Sequence, residues 1–199
     1  KKPSYFRESN KNEINKYREY IRQRAHFEPL QYIIGKTEFY GLTFKVNKNV
    51  LIPRPETEIL VEKILEKFKI YDEVNILDSG TGSGNSAITL AKNWLNSKIT
   101  AIDTSTDAIE IAKENSIINK VSEKINFREI NILKNNFSFD NKFDLVVSNP
   151  PYINFEEYKN LQKEIVDFEP TSALTDYEDG LKFFNTIISQ ASNLLKPNG

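Results

Sequence analysis

The sequence predicts an α/β fold, a doubly wound and mostly parallel sheet preceded by a short helical segment and a β-hairpin. Three observations carry this. From Val74 onward, short apolar runs alternate with helical stretches, and parallel neighbours need such crossovers. A loop with Gly80, Gly82 and Gly84 separates the first run from the first of these helices. The fourth run, "FDLVVS", stops abruptly at Asn149-Pro150-Pro151-Tyr152, where neither proline can donate to a sheet ladder.

In chain order, Lys1 to about Phe27 is highly charged, and Ile14, Tyr17 and Ile21 have helical spacing. "TEFYGLTFKVN" gives two strand-like runs about Gly41, a hairpin. In "LIPRPETEILVEKILEKF" the prolines stiffen the start of a helix, with Ile59, Leu60, Ile64, Leu65 and Phe68 as its apolar face. The alternation then runs strand "VNILD", helix "NSAITLAKNW", strand "KITAID", helix "TDAIEIAKENSIIN", strand "INFREI" and strand "FDLVVS". After a loop, "GLKFFNTIISQASNLLK" forms a long helix, with Phe183, Phe184, Ile187, Ile188, Ala191 and Leu195 on one side. The first residue is not methionine and the last are "LLKPNG", so a fragment is expected, without the final strands of the sheet.

Composition narrows the function. With 199 residues, 39% hydrophobic and 28% charged, one domain with a real core is expected. A net charge of -1 gives no global attraction to nucleic acid or anionic membrane. The absence of cysteine excludes disulfides and thiol chemistry, and a single histidine, His26, leaves no metal cluster; no metal is expected. No apolar run is long enough to span a membrane and no signal peptide opens the chain. A cytoplasmic location, or an organelle matrix, is the expectation.

The glycine loop "DSGTGSGNS" lacks the Gly-Lys-Ser/Thr of a P-loop and has G-x-G-x-G spacing in place of the dinucleotide G-x-G-x-x-G. About 20 residues further on, the second strand ends in Asp103, where doubly wound folds hold a ribose hydroxyl pair. A carboxylate without a phosphate cradle suits S-adenosylmethionine, whose ribose needs the acid and which has no pyrophosphate. The alternative is a tight turn that serves only strand–helix packing.

At the corner, a residue before proline is pushed into extended conformation, and this applies to Asn149 and again to Pro150. In the usual strand order the first and fourth strands are neighbours at the topological switch, so the glycine loop and Asn149 converge on one crevice. The Asn149 side-chain oxygen and the Pro150 carbonyl are two acceptors for the two hydrogens of an NH₂ group. Tyr152 can stack on a planar group. The alternative is turn punctuation.

These residues resemble the signature of amino-methyltransferases that act on planar NH₂ groups. Within that set, "PLQYIIGKTEFYGLTFKVNKNVLIPRPETEILVE", "DFEPTSAL" and "DGLKFF" are similar to segments of the HemK/PrmC family, peptide chain release factor N5-glutamine methyltransferases of the Rossmann-like class I type. The resemblance runs from about Pro29 onward and is most specific at Pro53–Glu58. It implies methyl transfer from S-adenosylmethionine, leaving S-adenosylhomocysteine, to the glutamine of the Gly-Gly-Gln motif in class I peptide chain release factors. It also implies that Gly80, Thr81, Gly82, Ser83 and Gly84 line the cofactor and that Asp103 holds its ribose. Asn149 would touch cofactor and substrate, and Pro150, Pro151 and Tyr152 would shape the glutamine pocket. The family's Asp-aromatic pair near the adenine corresponds to Asn131-Ile132, which leaves Ile132 as the adenine contact. An apolar residue before the glycine loop is replaced by Ser79. On this reading residues 1–28 are the remnant of an N-terminal helical substrate-recognition domain, 29–52 a linker and hairpin, and 53–199 the methyltransferase domain. Arg54 would face acidic or carbonyl groups. Nucleic acid is not expected as direct substrate, although an N6-adenine methyltransferase shares the Asn-Pro-Pro-Tyr signature. A non-catalytic module would not need Asn149 and Asp103.

Overall fold

The computed structural model describes residues 10–67, 73–134 and 137–199. Its centre is a parallel sheet in which chain order and spatial order differ. Strand β3 (Val74–Ser79) lies between β4 (Ser97–Asp103) and β6 (Leu145–Ser148), and β5 (Ile125–Glu129) lies outside β4, giving the order β5-β4-β3-β6. These strands follow β1 (Lys36–Phe39) and β2 (Leu42–Lys45), which form a separate antiparallel hairpin. In the parallel sheet Ser79 pairs with Ile102 on one side and Ser148 on the other. The chain therefore winds away from β3 in one direction and returns on its other flank, and the carboxyl ends of β3, β4 and β6 meet at one edge. The expected doubly wound order is realised, and the switch falls between β3 and β6.

The helices are α1 (Lys11–Ala25), α2 (Leu30–Ile34), α3 (Pro55–Lys67), α4 (Asn85–Asn93), α5 (Thr106–Ile118), α6 (Phe155–Tyr158), α7 (Lys163–Phe168) and α8 (Lys182–Leu194). Because side chains alternate along a strand, neighbours on β3 serve opposite cores. Ile76 packs with Ile88, Trp94 and Ile99, and with Phe39 and Phe44 of the hairpin. Leu77 packs with Ile102, Ile132, Phe143 and Leu194. The two hairpin phenylalanines meet edge to face, centroids 6.0 Å apart, each adding roughly 1.5–3 kcal/mol of burial. A β-hairpin alone is marginal, and this one is held by the sheet domain.

Polar contacts complete that attachment. Asn115 on α5, fully buried, accepts from Lys45 N at 2.7 Å and donates to Lys45 O and Ser83 O. Asn119, one turn on, donates to Thr43 O at 3.0 Å. One amide thus fastens the hairpin and the glycine loop together with its hydrogen-bonding capacity in use. The hairpin turn is Tyr40-Gly41, both at positive φ, 51° and 70°, which matches the twist of a two-residue connection.

Several sequence-derived faces shift. On α3 the buried residues are Thr57, Val61 and Ile64, with Leu60 and Leu65 partly packed. Ile59 is exposed, and Phe68 lies outside the described residues. The first turn of this helix belongs to the candidate site, so a polar residue takes the inward position. On α8 the inward residues are Phe183, Ile187 and Leu194, whereas Ile188 is 71% exposed. The expected apolar side was wider than the sheet face that receives it. The stretch after the corner, expected as loop, carries α6, α7 and a 3₁₀ turn at Thr171–Ala173. Elements of 4 and 6 residues are too short to show a helical period. Helix α1 starts with a capping box of Asn10 and Glu13, and Ile14, Tyr17 and Ile21 are exposed on it, as their helical spacing without a partner implies. Among the described residues the parallel sheet ends at β6, beyond which Phe143 and Leu195 form one isolated parallel bridge. No helix among them is long and apolar enough to cross a membrane.

Candidate functional site

The crevice at the switch begins with the glycine loop. Gly80 N and Thr81 N both donate to Ile102 O at 2.9 Å, tying the loop to the end of β4. Gly80 and Gly82 have φ of 74° and 54°, and a Cβ added to either would meet nothing within 4 Å. Their backbones border open space, and it is the left-handed conformation that requires glycine. Gly84 differs. A Cβ there would stand 2.8 Å from Ile88 Cδ1 and 3.1 Å from Ala112 Cβ, so its space is taken by helix packing.

Asp103 ends β4 and turns back to the loop. Its Oδ2 accepts from Gly82 N at 2.9 Å and its Oδ1 from Ser105 N at 3.0 Å. Burial pushes its carboxyl above the usual range, and backbone N–H groups including those of Ser105 and Gly82 work against that. A carboxylate offers about four lone-pair sites, so acceptor capacity remains on each oxygen. Asp103 lines a cavity of about 270 Å³ together with Gly80, Gly82, Ile132, Asn149 and Pro151. A ribose-bearing ligand fits this donor set: an acid with spare acceptor sites, two open glycine backbones and an apolar wall at Ile132. Thr81 and Ser83, expected beside the cofactor, face a smaller recess of about 40 Å³ with Asp78. Thr81 Oγ1 donates to Asp78 Oδ2 at 2.7 Å. Asp78 is 2% exposed, and burial pushes its carboxyl up to about 6.

The Asn-Pro-Pro-Tyr corner forms the opposite wall. Ser148 Oγ donates to Ser79 O at 2.7 Å, locking the ends of β6 and β3. Beyond it lies a second cavity, of about 240 Å³, lined by Arg54, Glu56, Thr57, Tyr152, Leu161 and Ile165, among others. Leu51, Asn149, Pro150 and Ala173 line both cavities; these four are the partition. Pro151, expected to shape the glutamine pocket, lines the first cavity and not the second. An extended stub turns successive residues to opposite sides, so Pro151 and Tyr152 separate. Tyr152 is 58% exposed at the outer cavity.

The corner is supported from behind. Ile153 N donates to Leu174 O and Phe155 N to Glu178 O, both at 3.0 Å. Asp176 accepts from the N–H groups of Glu178, Gly180 and Lys182. Gly180, at φ 83°, lies so close that a Cβ would come 2.2 Å from Tyr152 O.

Arg54 meets Glu169, the acid of "DFEPTSAL", at 2.6 Å. That carboxylate is 2% exposed, and its other oxygen accepts from Ile52 N at 3.3 Å. Glu58 Oε1 accepts from Tyr40 N at 2.6 Å, and Asn149 Nδ2 donates to Thr57 Oγ1 at 3.2 Å. The Pro53–Glu58 segment thus reaches the hairpin, the corner and the loop beyond it. Sequence reasoning did not single out Thr57, Glu58 or Glu169. All three lie inside segments quoted for their resemblance, but partners 92, 18 and 115 residues away in sequence leave no local signal.

With this geometry in view, comparison with known proteins is informative. A family described as methyltransferase domain matches residues 70–199, and one described as PrmC N-terminal domain matches residues 5–35. A release factor glutamine methyltransferase of Fusobacterium nucleatum is 46% identical over all of this chain and 56% of its own length. One of Clostridium acetobutylicum is 39% identical over 96% of this chain and 67% of its own. One of Koribacter versatilis is 41% identical over 97% of this chain and 68% of its own. The chain therefore spans from just over half to about two thirds of the length of these relatives.

Proposed function

The chain belongs to the release factor glutamine methyltransferase family, and from that premise we propose that it methylates the side-chain amide nitrogen of the glutamine in the Gly-Gly-Gln motif of class I release factors. The methyl donor is S-adenosylmethionine, which when bound supplies an electrophilic methyl group on a sulfonium. The observation that carries the reading is the partition: Asn149 and Pro150 belong at once to the cavity that holds Asp103 and to the cavity that opens beside Tyr152.

An amide nitrogen is a poor nucleophile because its lone pair is delocalised into the carbonyl. The chain's task is to hold that nitrogen in line with the donor and to favour its pyramidal form. Asn149 Oδ1 and the Pro150 carbonyl would accept hydrogen bonds from its two N–H groups, which would stabilise the positive charge that develops as the methyl–sulfur bond breaks and the nitrogen–methyl bond forms, one N–H proton then leaving to solvent. Tyr152 covers the planar carboxamide with its ring. On the inner side Asp103 would hold the ribose hydroxyls, Gly80 and Gly82 would allow close backbone approach, and Ile132 would border the adenine. Residues 1–28 take part in recognising the release factor, a role in keeping with the match over residues 5–35. The setting is the cytoplasm or an organelle matrix, where release factors work.

The test is a competition. The full chain is incubated with methyl-labelled S-adenosylmethionine, a class I release factor and nucleic acid together. Label is expected on the release factor and is expected to vanish when the glutamine of the Gly-Gly-Gln motif is replaced. Label on nucleic acid alone, or on a release factor lacking that glutamine, sinks the proposal.

A further inference from the structure

We propose that Thr57 sets the working orientation of Asn149, a positioning role that rests on the methyl transfer proposed above. A carboxamide carries an acceptor and a pair of donors on the two arms of one group, and half a turn exchanges them. Only one orientation offers oxygen to an incoming NH₂. The other opposes NH₂ with NH₂, and an acceptor is lost from a site that needs two.

One contact accompanies the productive orientation in the structure. Asn149 Nδ2 donates to Thr57 Oγ1 at 3.2 Å, and no donor among the described residues occupies Oδ1. Here the hydroxyl accepts from the donor arm and leaves the acceptor arm over, whereas the reverse pairing, with the hydroxyl donating to Oδ1, would spend the acceptor that the site needs. Thr57 is 5% exposed, so water reaches its hydroxyl only from the cavities that it lines. Its place is also fixed: it sits in the first turn of α3, where Glu58 is bonded to the hairpin at Tyr40 N and Arg54 to Glu169. Both contacts are at 2.6 Å. A β-branched side chain has few χ1 choices in a helix, so the hydroxyl is presented from a stiff mount. The most specific motif of the sequence thereby acquires a purpose: three of its residues anchor it to three elements, and the contact at the centre orients the amide.

The experiment compares Thr57→Val, which keeps the shape and loses the hydroxyl, with Thr57→Ser, which keeps the hydroxyl. Thr57→Val is expected to lower kcat on release factor roughly tenfold, the value of about one buried hydrogen bond. Cofactor affinity and the unfolding midpoint should stay near the parent's, and Thr57→Ser should restore most of kcat. A second arm does not depend on turnover: the Asn149 side-chain NH₂ resonance, identified by its disappearance in Asn149→Asp. It should be protected from hydrogen exchange in the parent and in Thr57→Ser, and lose that protection in Thr57→Val. An unchanged resonance, an unchanged kcat, or a fall in cofactor affinity and stability that matches the fall in kcat overturns the positioning role. If the resonance behaves as expected while the parent fails to label release factor, the proposed substrate is wrong and the orientation by Thr57 stands.

Discussion

The two cavities on either side of Asn149 are built by different means. The inner one carries its polar groups on a short local unit: the glycine loop, Asp103 and Ser105 lie within about 25 residues of one another and are joined by main-chain N–H groups, while residues such as Leu51, Ile132, Pro151 and Phe183 complete its walls. The outer one is mostly side chains drawn from distant segments, α3, the corner, α7 and the Thr171–Ala173 turn, and is held by Arg54–Glu169 and Thr57–Asn149. The difference suits the two tasks proposed above. A cofactor of constant shape is well served by a stiff local loop, whose geometry survives changes elsewhere. A pocket for one side chain of a protein partner needs convergent groups from several directions, and its precision depends on contacts closed over long loops.

The partition should therefore be the most sensitive point. Asn149→Ala is expected to keep the fold and lower kcat by on the order of 10²–10³, the cost of removing one preorganised transition-state contact. Cofactor affinity, read calorimetrically, should fall far less. Near-parental turnover would separate the two cavities functionally and leave Asn149 without its role.

Beneath the inner cavity, Asp78 gives a pH-dependent handle. Its folded carboxyl lies at about 6 because of burial, against 3.8 for the free group. The folded state thus holds the proton more tightly, and this contribution to stability is full below about pH 4 and declines as pH rises towards 6. Denaturant unfolding of the parent and of Asp78→Asn should diverge through that window, with the parent losing about 3 kcal/mol relative to the variant. Parallel curves would show that the acid does not titrate there.

The smallest effect is expected on the inner wall itself. Asp103→Ala removes the ribose acceptor and the bond to Gly82 N, and should weaken cofactor binding on the order of tenfold. The kcat at saturating cofactor should change little, unlike that of Asn149→Ala. Unchanged affinity would defeat the ribose assignment, and an equal fall in kcat would erase the contrast between the cavities.

Much of the inner side was legible in the residues. Gly80 and Gly82 declare a backbone that must take positive φ, Asp103 stands at a strand end, and strand–helix alternation dictates a parallel sheet with its crevice at the switch. Each of these is a local rule of stereochemistry, so a short window carries it. The corner was legible too, because prolines restrict φ wherever they stand. The inward faces of α3 and α8 were less so, since apolar content names candidates without saying which ones the sheet accepts. Ile59 and Ile188 have the right chemistry and the wrong azimuth. Ser79, in place of an apolar residue, is buried at the end of β3 and pairs with Ile102 and Ser148.

What the sequence determined by itself is the set of backbone conformations: the turns, the strand ends and the doubly wound order that follows from right-handed crossovers. What only the tertiary structure decided is who meets whom. Arg54 with Glu169, Thr57 with Asn149 and Gly180 beneath Tyr152 are contacts between segments far apart in the chain, and hydrogen bonding and packing act through space. The identity of the acceptor at Asn149 is written in its own residue. The partner of its donor arm is Thr57, 92 residues earlier.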